Sequence, residues 1–373
     1  MAKINVLSWL AQIVQIGTIS PLLSLSLQQR KVSPVVIGLI ISASWVAILA
    51  FYKMTPRFLH RFGLVKSSGI SAAISVVSIL GLSYCTNLVL LFILNLLMGI
   101  GLILRWVACD TWIVAITTKE GRGRAIGLHE TLMGLGIAMG PLLIAFFGVD
   151  TSAAYYASAI IAGVSGALGF TLLEYNIFPP VPHKKKDRKL LPIIPLALSG
   201  AFIAGFAETS AVSFLGGYGI IIGYTVSAAA ILVSTFGFGG TILLFPIGFL
   251  ADKLSCRTAQ LFCSLTILLS GVVLAFASSC ALLTDVVVFV LGGAVGGLIT
   301  LAVIEAGNTL QERQMSTAMS AISMFYTVGS IAGPVVTGAM ISYLNARGLM
   351  VSIGLIGSVG FLLLLFRAFR HEK

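Results

Sequence analysis

The hydrophobic positions of this chain are collected into twelve long runs, and the polar positions between them form short segments. Six runs fall in each half of the 373 residues. Each run has about the 20 apolar residues that a helix needs to cross a bilayer, and a helix satisfies its own backbone hydrogen bonds in hydrocarbon. The pattern predicts an all-α integral membrane protein with spans at residues 4–27, 34–52, 67–85, 88–113, 125–148, 152–173, 193–219, 224–250, 259–278, 284–306, 316–343 and 347–366.

The two halves of the chain are related by a repeat of 193 positions. An apolar segment in the first half holds two glycines and a proline, and the same residue types recur at the same spacing in the second half. Such repetition indicates two equivalent six-helix halves, which we place at residues 1–174 and 193–373, joined by a basic linker at 175–192. The recurring residues are Gly136, Gly140 and Pro141 in the first half and Gly329, Gly333 and Pro334 in the second.

Composition and charge agree with a membrane protein. The chain is 58% hydrophobic and 9% charged, which is unlike a soluble domain. Of its 23 Lys and Arg residues, three (Arg30, Lys31 and Arg347) lie on one predicted side, Arg105 lies within a span, and the other nineteen lie on the opposite side. By the positive-inside rule, both termini and the linker are expected on the cytoplasmic side of the inner membrane. The net charge of +11 is therefore topological, and we expect no nucleic-acid partner.

The loop predicted between the eighth and ninth spans carries a recognisable motif. It reads GFLADKLSCR from Gly248 to Arg257. This resembles the cytoplasmic loop signature of the major facilitator superfamily, with Asp252 and Lys253 at the acidic and basic positions. The motif departs from the family at Ser255, where Gly is usual.

A worn copy of the motif lies 192 positions earlier, in the first half. There Pro56 and His60 replace the Gly and Asp, whereas Arg61 and Gly63 remain. The resemblance covers essentially the whole chain and is nearest to the drug/proton antiporter-like branches. It implies two pseudo-symmetric six-helix halves that move a solute by alternating access.

The resemblance also implies roles for several residues. Asp252 is expected to meet Arg122 and Arg124 at the start of the fifth span, as a cytoplasmic gate. The segment Gly136-x-x-x-Gly140-Pro141 resembles the fifth-helix signature of antiporters and favours export. Small residues at this spacing also serve ordinary helix packing, so import stays open. The Arg in the fourth span and the carboxylate in the first span that are usual in drug antiporters are missing.

Charged residues inside a span cost about 2.5–3.5 kcal/mol each, so they are candidates for function. Glu208 is predicted near the middle of the seventh span, opposite Gln15 of the first span under the 193-residue shift. The resemblance implies that these spans, with the fourth and tenth, line a central cavity. We predict Glu208 as the proton site, because a carboxyl group in a poorly hydrated cavity can bind and release a proton near neutral pH. The alternative is a permanent hydrogen bond to a neighbour.

Arg105 of the fourth span has two possible roles. Its guanidinium suits an anionic or zwitterionic substrate, or it forms an ion pair with Glu130 of the fifth span. Asp110 and Glu305, near the predicted cytoplasmic ends of their spans, are expected to pair with loop arginines instead.

Tryptophans are further candidates for contact with substrate. Trp45 and Trp106 lie deep in their spans, whereas Trp9 and Trp112 lie near predicted ends and are expected to anchor helices at the interface. The chain has no zinc, serine-hydrolase or phosphate-loop motif, so we expect no enzyme, no metal and no cofactor.

The sequence therefore predicts a secondary active transporter of a small organic solute, with proton-coupled efflux. The alternative is proton-coupled uptake of an anionic or zwitterionic molecule. The expected partners are a small-molecule substrate, protons and the lipid bilayer, and the resemblance implies that a monomer suffices.

Overall fold

The computed structural model describes residues 1–118, 121–180, 193–276, 280–345 and 347–370. Within these residues twelve helices are long and apolar enough to span a bilayer, which confirms the predicted all-α membrane fold. We number them in chain order. They are α1 Ala2–Gln29, α2 Pro34–Phe51, α3 Thr55–Tyr84, α4 Leu88–Ile116, α5 Arg122–Phe147, α6 Ala153–Phe170, α7 Pro195–Ile221, α8 Val226–Lys253, α9 Cys256–Phe276, α10 Ala281–Thr309, α11 Glu312–Leu344 and α12 Arg347–Arg370.

The third helix begins at Thr55 rather than at residue 67, so the predicted start is wrong. A short polar helix precedes Gly63, whose φ of 74° and ψ of 165° interrupt the helical path before the apolar span. A Cβ at Gly63 would lie 2.6 Å from Oδ1 of Asn176, and that oxygen accepts a hydrogen bond from the Val65 amide at 3.1 Å. Glycine is needed here for its backbone conformation and for this close approach.

Asn176 belongs to the first residues of the predicted linker, which are therefore anchored to α3. The Leu64 amide also donates to the Ile177 carbonyl at 3.0 Å. The remainder of the predicted linker, residues 181–192 with its basic run from Lys184 to Lys189, lies outside the described residues.

The motif between the eighth and ninth spans is mostly helical, so the loop between them is shorter than the eight residues, 251–258, that the predicted spans leave. Helix α8 includes Gly248 to Lys253, and α9 starts at Cys256. The hydroxyl oxygen of Ser255 accepts a hydrogen bond of 3.0 Å from the Thr258 amide. Serine is a favoured residue for capping a helix N-terminus in this way, so the departure from the family's Gly has a local structural role.

The described residues form two compact units. The first holds residues 1–30, 39–180 and 226–234, and the second holds 31–38, 193–225 and 235–370. Their boundaries differ from the predicted halves at the beginnings of α2 and α8. Each unit has its own hydrophobic core.

Trp112 is part of the core of the first unit. Its side chain is fully buried, and its indole N–H donates to the carbonyl of Tyr175 at 2.8 Å. The expectation that Trp112 anchors its helix at the membrane interface is therefore wrong. The hydrogen bond satisfies the only polar atom of a side chain that is otherwise suited to an apolar core.

Candidate functional site

A stripe of four polar side chains runs along the buried face of α1. It consists of Asn5, Ser8, Gln12 and Gln15, none of which is more than 5% exposed. Their spacing of three, four and three residues places them on one side of a helix. Buried polar groups need hydrogen-bond partners, and most of these partners come from α4 and α5.

Arg105 of α4 lies against this stripe and donates to three of its members. Its Nε donates to Oε1 of Gln15 at 2.8 Å, its Nη1 to Oγ of Ser8 at 2.7 Å, and its Nη2 to Oε1 of Gln12 at 2.5 Å. Nη1 also lies 3.9 Å from the sulfur of Met133 on α5. The side chain is only 2% exposed, so the guanidinium is enclosed by protein.

All of these partners of Arg105 are neutral. Within the described residues, no carboxylate oxygen lies within 4.0 Å of its nitrogens. The ion pair with Glu130 that the sequence left open is not formed, and Glu130 is exposed. Each hydrogen bond from a charged donor contributes about 1.5–3 kcal/mol, so three of them can offset the cost of burying the cation. Arg105 therefore connects α4 to α1 in this structure.

The hydrogen bonds continue from Gln15 into α3. Its Nε2 donates to Oγ of Ser75 at 2.7 Å, and the Ser75 hydroxyl donates to the Ser71 carbonyl at 2.9 Å. The Ser71 hydroxyl donates back to α4, to the carbonyl of Gly101 at 2.6 Å. Beside them is a cavity of about 10 Å³, about the least space that holds one water molecule. It is lined by Ala11, Gln15, Ser68, Ser71, Ala72, Ser75, Arg105, Ala162 and Ser165.

His129 of α5 completes the polar cluster at the other end of the stripe, and the sequence analysis missed it. Its Nδ1 lies 3.0 Å from Oδ1 of Asn5. Its Nε2 lies 3.5 Å from Oγ of Ser8 and also 3.5 Å from Oδ1 of Asp110. The imidazole is buried, whereas the Asp110 side chain is 44% exposed. The signal that could have found it is the stripe itself, since four buried polar residues on α1 require partners of this kind.

A π-helical segment, Ile13–Thr18, shapes α1 around Gln15. The Thr18 hydroxyl donates to the carbonyl of Ile13 at 2.8 Å and to that of Gly140 on α5 at 2.9 Å. A Cβ at Gly140 would collide with the backbone of Gly17. Helix α5 is interrupted at the same place, because Pro141 has no backbone N–H to donate. The two helices therefore touch at their irregular turns. This contact sets the position of Gln15 along α1 relative to α5.

In the second unit, the carboxylate of Glu208 on α7 accepts a hydrogen bond from the hydroxyl of Tyr326 on α11, at 2.8 Å. Glu208 is partly buried. A Cβ at Gly205 would collide with the carbonyl of Tyr326, so the backbones of α7 and α11 touch one turn away from the carboxylate. Such close contact is what small residues at helix interfaces permit.

The recurring glycines occupy equivalent places in the two units. A Cβ at Gly136 would lie 3.0 Å from the carbonyl oxygen of Trp9, and a Cβ at Gly329 would collide with the carbonyl oxygen of Phe202. Gly329 follows Gly136 by 193 positions, and Phe202 follows Trp9 by the same distance. The helix pairs α1 with α5 and α7 with α11 therefore pack in the same register.

The polar residues beside these glycines are not equivalent. Gln15 and Met133 in the first unit correspond to Glu208 and Tyr326 in the second, again 193 positions later. In the first unit Arg105 lies between the two residues, whereas in the second unit they bond directly. One unit thus holds a cation among neutral acceptors, and the other holds a carboxylate with a neutral donor.

The carboxylates expected to pair with loop arginines have other partners. Asp110 contacts His129, as described above. Oε2 of Glu305 accepts a hydrogen bond of 2.7 Å from Nε2 of Gln260 on α9. Among the described residues, no arginine lies within 4.0 Å of the Asp110 carboxylate.

The two candidate tryptophans differ in burial. Trp45 on α2 is 4% exposed, and Trp106 on α4 is partly buried.

The gate-motif residues of each unit lie near helix ends. Asp252 and Arg124 are exposed, and Lys253 places its amine 4.5 Å from the ring centre of Phe249. Nη2 of Arg122 donates to the Val114 carbonyl at 3.3 Å. The expected contact between Asp252 and the arginines of α5 stays a prediction.

Two further motif arginines were predicted, one in each unit. The guanidinium of Arg61 lies 5.6 Å from the ring centre of Phe62. Nε and Nη2 of Arg257 are buried and have no hydrogen-bond partner among the described residues. Among the residues that the structure describes, no group of three or more His, Cys, Asp or Glu side chains could hold a metal ion.

Comparison with known proteins identifies the family. The sequence matches the model of the Major Facilitator Superfamily twice, over residues 6–199 and 197–373. The chain belongs to this superfamily. It is 26% identical over 333 residues to the uncharacterized MFS-type transporter YfkF of Bacillus subtilis (strain 168), covering 86% of this chain and 84% of that protein. It is 22% identical over 364 residues to YcaD of Escherichia coli (strain K12 / DH10B), covering 96% and 93%.

Solved structures share its fold. A bacterial homologue of the human lysosomal transporter Spinster superposes with a TM-score of 0.79 at 15% identity, covering 97% of this chain and 94% of that chain. The nucleoside transporter NupG gives a TM-score of 0.77 at 13% identity, covering 100% and 98%. The protein is therefore a multi-pass membrane protein and a secondary transporter of the superfamily, whose members bind small-molecule substrates in the membrane and are not enzymes.

Proposed function

We propose that this protein exports a small organic solute across the cytoplasmic membrane in exchange for protons, and that Glu208 binds the coupling proton. The observation that carries this proposal is the hydrogen bond between Glu208 and Tyr326. A carboxyl group that must gain and lose a proton in each cycle needs a partner suited to both forms. A fixed cation would favour only the ionised form.

The tyrosine hydroxyl meets this requirement. It donates to the carboxylate when Glu208 is ionised, and it can accept from the carboxyl O–H when Glu208 is protonated. No buried polar atom needs to lose its partner when the proton moves, which avoids the penalty of an unsatisfied group. The partial burial of Glu208 keeps its charge costly without closing it off from a proton donor.

Export is supported by the resemblance of the α5 segment from Gly136 to Pro141 to the antiporter signature. Its glycines pack α5 against α1 beside Gln15. Alternating access requires helices to move against one another around the site, and a contact between small residues lets helices slide without side chains that interlock.

Proton-coupled uptake of an anionic or zwitterionic solute is the second candidate. It is favoured by Arg105, whose buried charge has only neutral partners. An anion that reached this cluster would gain a cation that no carboxylate neutralises. In this arrangement the side chains of α1 occupy the guanidinium, so Gln12 or Ser8 would have to release it first.

The orientation proposed is that both termini are cytoplasmic. It rests on the distribution of basic residues, including Lys53, Arg57 and Lys66, around the loop between α2 and α3.

The proposal is tested with purified protein in liposomes that contain a trapped pH-sensitive dye. Benzoate, tetraphenylphosphonium and glycerol are added outside in turn as anionic, cationic and neutral probes. Protons that leave as solute enters indicate antiport, and protons that enter with it indicate symport. Glu208→Gln should abolish the proton movement, whereas Glu305→Gln, at a carboxylate bonded to Gln260, should retain it. Equal coupling in Glu208→Gln and the unmodified protein would exclude Glu208 as the proton site.

A further inference from the structure

His129 contacts two different partners through one ring nitrogen. Its Nδ1 faces the amide oxygen of Asn5 at 3.0 Å. Since that oxygen is only an acceptor, Nδ1 carries the hydrogen in this contact. In the neutral ring Nε2 is then a bare acceptor. It lies 3.5 Å from Oγ of Ser8 and 3.5 Å from Oδ1 of Asp110.

The neutral ring is compatible with only one of these two partners. Ser8 accepts a hydrogen bond from Nη1 of Arg105, and its own hydroxyl hydrogen is free to point at Nε2. The ionised carboxylate of Asp110 is also only an acceptor, so it cannot form a hydrogen bond with the bare Nε2. A neutral His129 therefore belongs to a chain of donors that runs from Arg105 through Ser8 to Nε2.

Protonation reverses this choice. The imidazolium has a hydrogen on Nε2, which can donate to the Asp110 carboxylate but cannot receive the Ser8 hydrogen. A charged hydrogen bond of this kind is stronger than a neutral one. The ring would also become a cation one hydroxyl away from the Arg105 guanidinium. Both effects weaken the chain of hydrogen bonds by which Arg105 is connected to α1.

We propose that His129 is a proton-operated switch, in which protonation moves its Nε2 from Ser8 to Asp110 and loosens the attachment of α1 to Arg105. The proposal extends the proposed proton coupling to a second group in the first unit. Its use in transport rests on that proposed function, but the switch itself does not depend on Glu208.

The surroundings of His129 suit this role. From α1 it faces Asn5 and Ser8, which are neutral, and from α4 it faces Asp110 directly and Arg105 through Ser8. Its neighbour on α5, Glu130, is exposed. The Asp110 side chain is 44% exposed and the imidazole is buried, so Asp110 is the more accessible member of the pair.

The test measures hydrogen–deuterium exchange of the backbone amides of α1 and needs no substrate. The purified protein is compared at about pH 8 and about pH 5, a range that spans the charge change of histidine, with rates corrected for the intrinsic effect of pH. Protection of α1 should fall about tenfold at the lower pH, as expected for weakening a hydrogen bond to a charged group. Protection of α2, which has no ionisable side chain between Pro34 and Phe51, should not change with pH.

Two variants separate a switch from a purely structural role. His129→Gln keeps a side chain that can bond to Asn5 but cannot take a charge, so protection of α1 should be the same at both pH values. Asp110→Asn removes the charged partner from a half-exposed position and should reduce the response. Glu305→Gln should respond like the unmodified protein.

The proposal fails if α1 of the unmodified protein shows no corrected response to pH, or if the response persists in His129→Gln. Because exchange is measured without solute, this failure is distinct from a failure of proton coupling at Glu208, which the liposome assay detects separately. His129→Gln could instead lower the protection of α1 by the same factor at both pH values, relative to the unmodified protein. The pH response would then be retained, which would show that His129 serves packing only and would overturn the switch.

Discussion

The hydroxyl of Tyr326 donates a hydrogen bond of 2.8 Å to the carboxylate of Glu208. The two residues lie 193 positions after Met133 and Gln15, which Arg105 joins in the first unit. A duplicated pair of helices has thus diverged into one site built on a cation and one built on a carboxylate. Four predictions follow from these sites and from the packing around them.

Tyr326→Phe should slow proton-coupled flux without abolishing it. The carboxyl group remains, but its charged form loses a hydrogen bond of about 2 kcal/mol. Flux in the liposome assay is expected to fall by about tenfold or more. Tyr224→Phe is the matched control, because it removes the hydroxyl of a tyrosine between α7 and α8 that contacts Asp285 at 3.2 Å. A Tyr326→Phe protein with full flux would show that Glu208 does not need this partner.

Arg105→Lys should reduce the stability of the protein. A lysine has three donors on one atom and cannot reach Gln15, Ser8 and Gln12 together, so buried oxygens lose their donors at about 1–3 kcal/mol each. The midpoint of thermal unfolding in detergent is expected to fall, whereas Arg124→Lys, at an exposed position, should leave it unchanged. Full stability together with weaker retention of an anionic probe would instead assign Arg105 to substrate.

Gly140→Ala should be destabilising, by about 1–3 kcal/mol, because an added Cβ meets the backbone of Gly17 and forces α5 away from α1. Gly163→Ala on α6 is the control, since nothing lies within 4 Å of a Cβ built there. Thermal unfolding of the two variants in detergent measures the difference. If both substitutions behave alike, the contact between α1 and α5 is looser than the structure indicates.

Cysteine labelling should report the orientation of the chain. Cys280 is exposed and lies in the segment between α9 and α10. Cys256 is the first residue of α9, so it lies at the other end of α9 from Cys280. With cytoplasmic termini, a membrane-impermeant maleimide added to intact cells should modify Cys280 and not Cys256. Cys85 lies on the same predicted side and is partly exposed, so in a Cys85→Ser background the further change Cys280→Ser should remove the label. Modification of Cys256 from outside would reverse the proposed topology.

Much of the fold could be predicted from the sequence because each span carries its own signal. The apolar runs located all twelve helices, since length and hydropathy are local properties. The errors lie at polar helix ends, such as the start of α3 at Thr55 and the extension of α8 to Lys253. At α8 the backbone stays helical after the hydrophobic signal has ended, and at α3 a short polar helix precedes the kink at Gly63, so hydropathy marks neither boundary.

Much less of the candidate site could be predicted. The sequence analysis selected Glu130, but its neighbour His129 is the residue that faces α1. Consecutive residues on a helix point about 100° apart, so a choice between them requires knowledge of which face meets another helix. The polar stripe from Asn5 to Gln15 was visible at helical spacing, but its partners lie about 60 to 125 positions away in the chain.

The sequence by itself determined that this is a duplicated twelve-helix membrane protein with few charges in its spans. Periodicity and hydrophobicity are sufficient for that, because a bilayer admits only helices that are long and apolar. Only the tertiary structure decided that Arg105 meets Gln15, Ser8 and Gln12 rather than Glu130, and that Glu208 meets Tyr326. These pairings depend on the rotation and register of packed helices, which the close contacts between glycines and neighbouring backbones set.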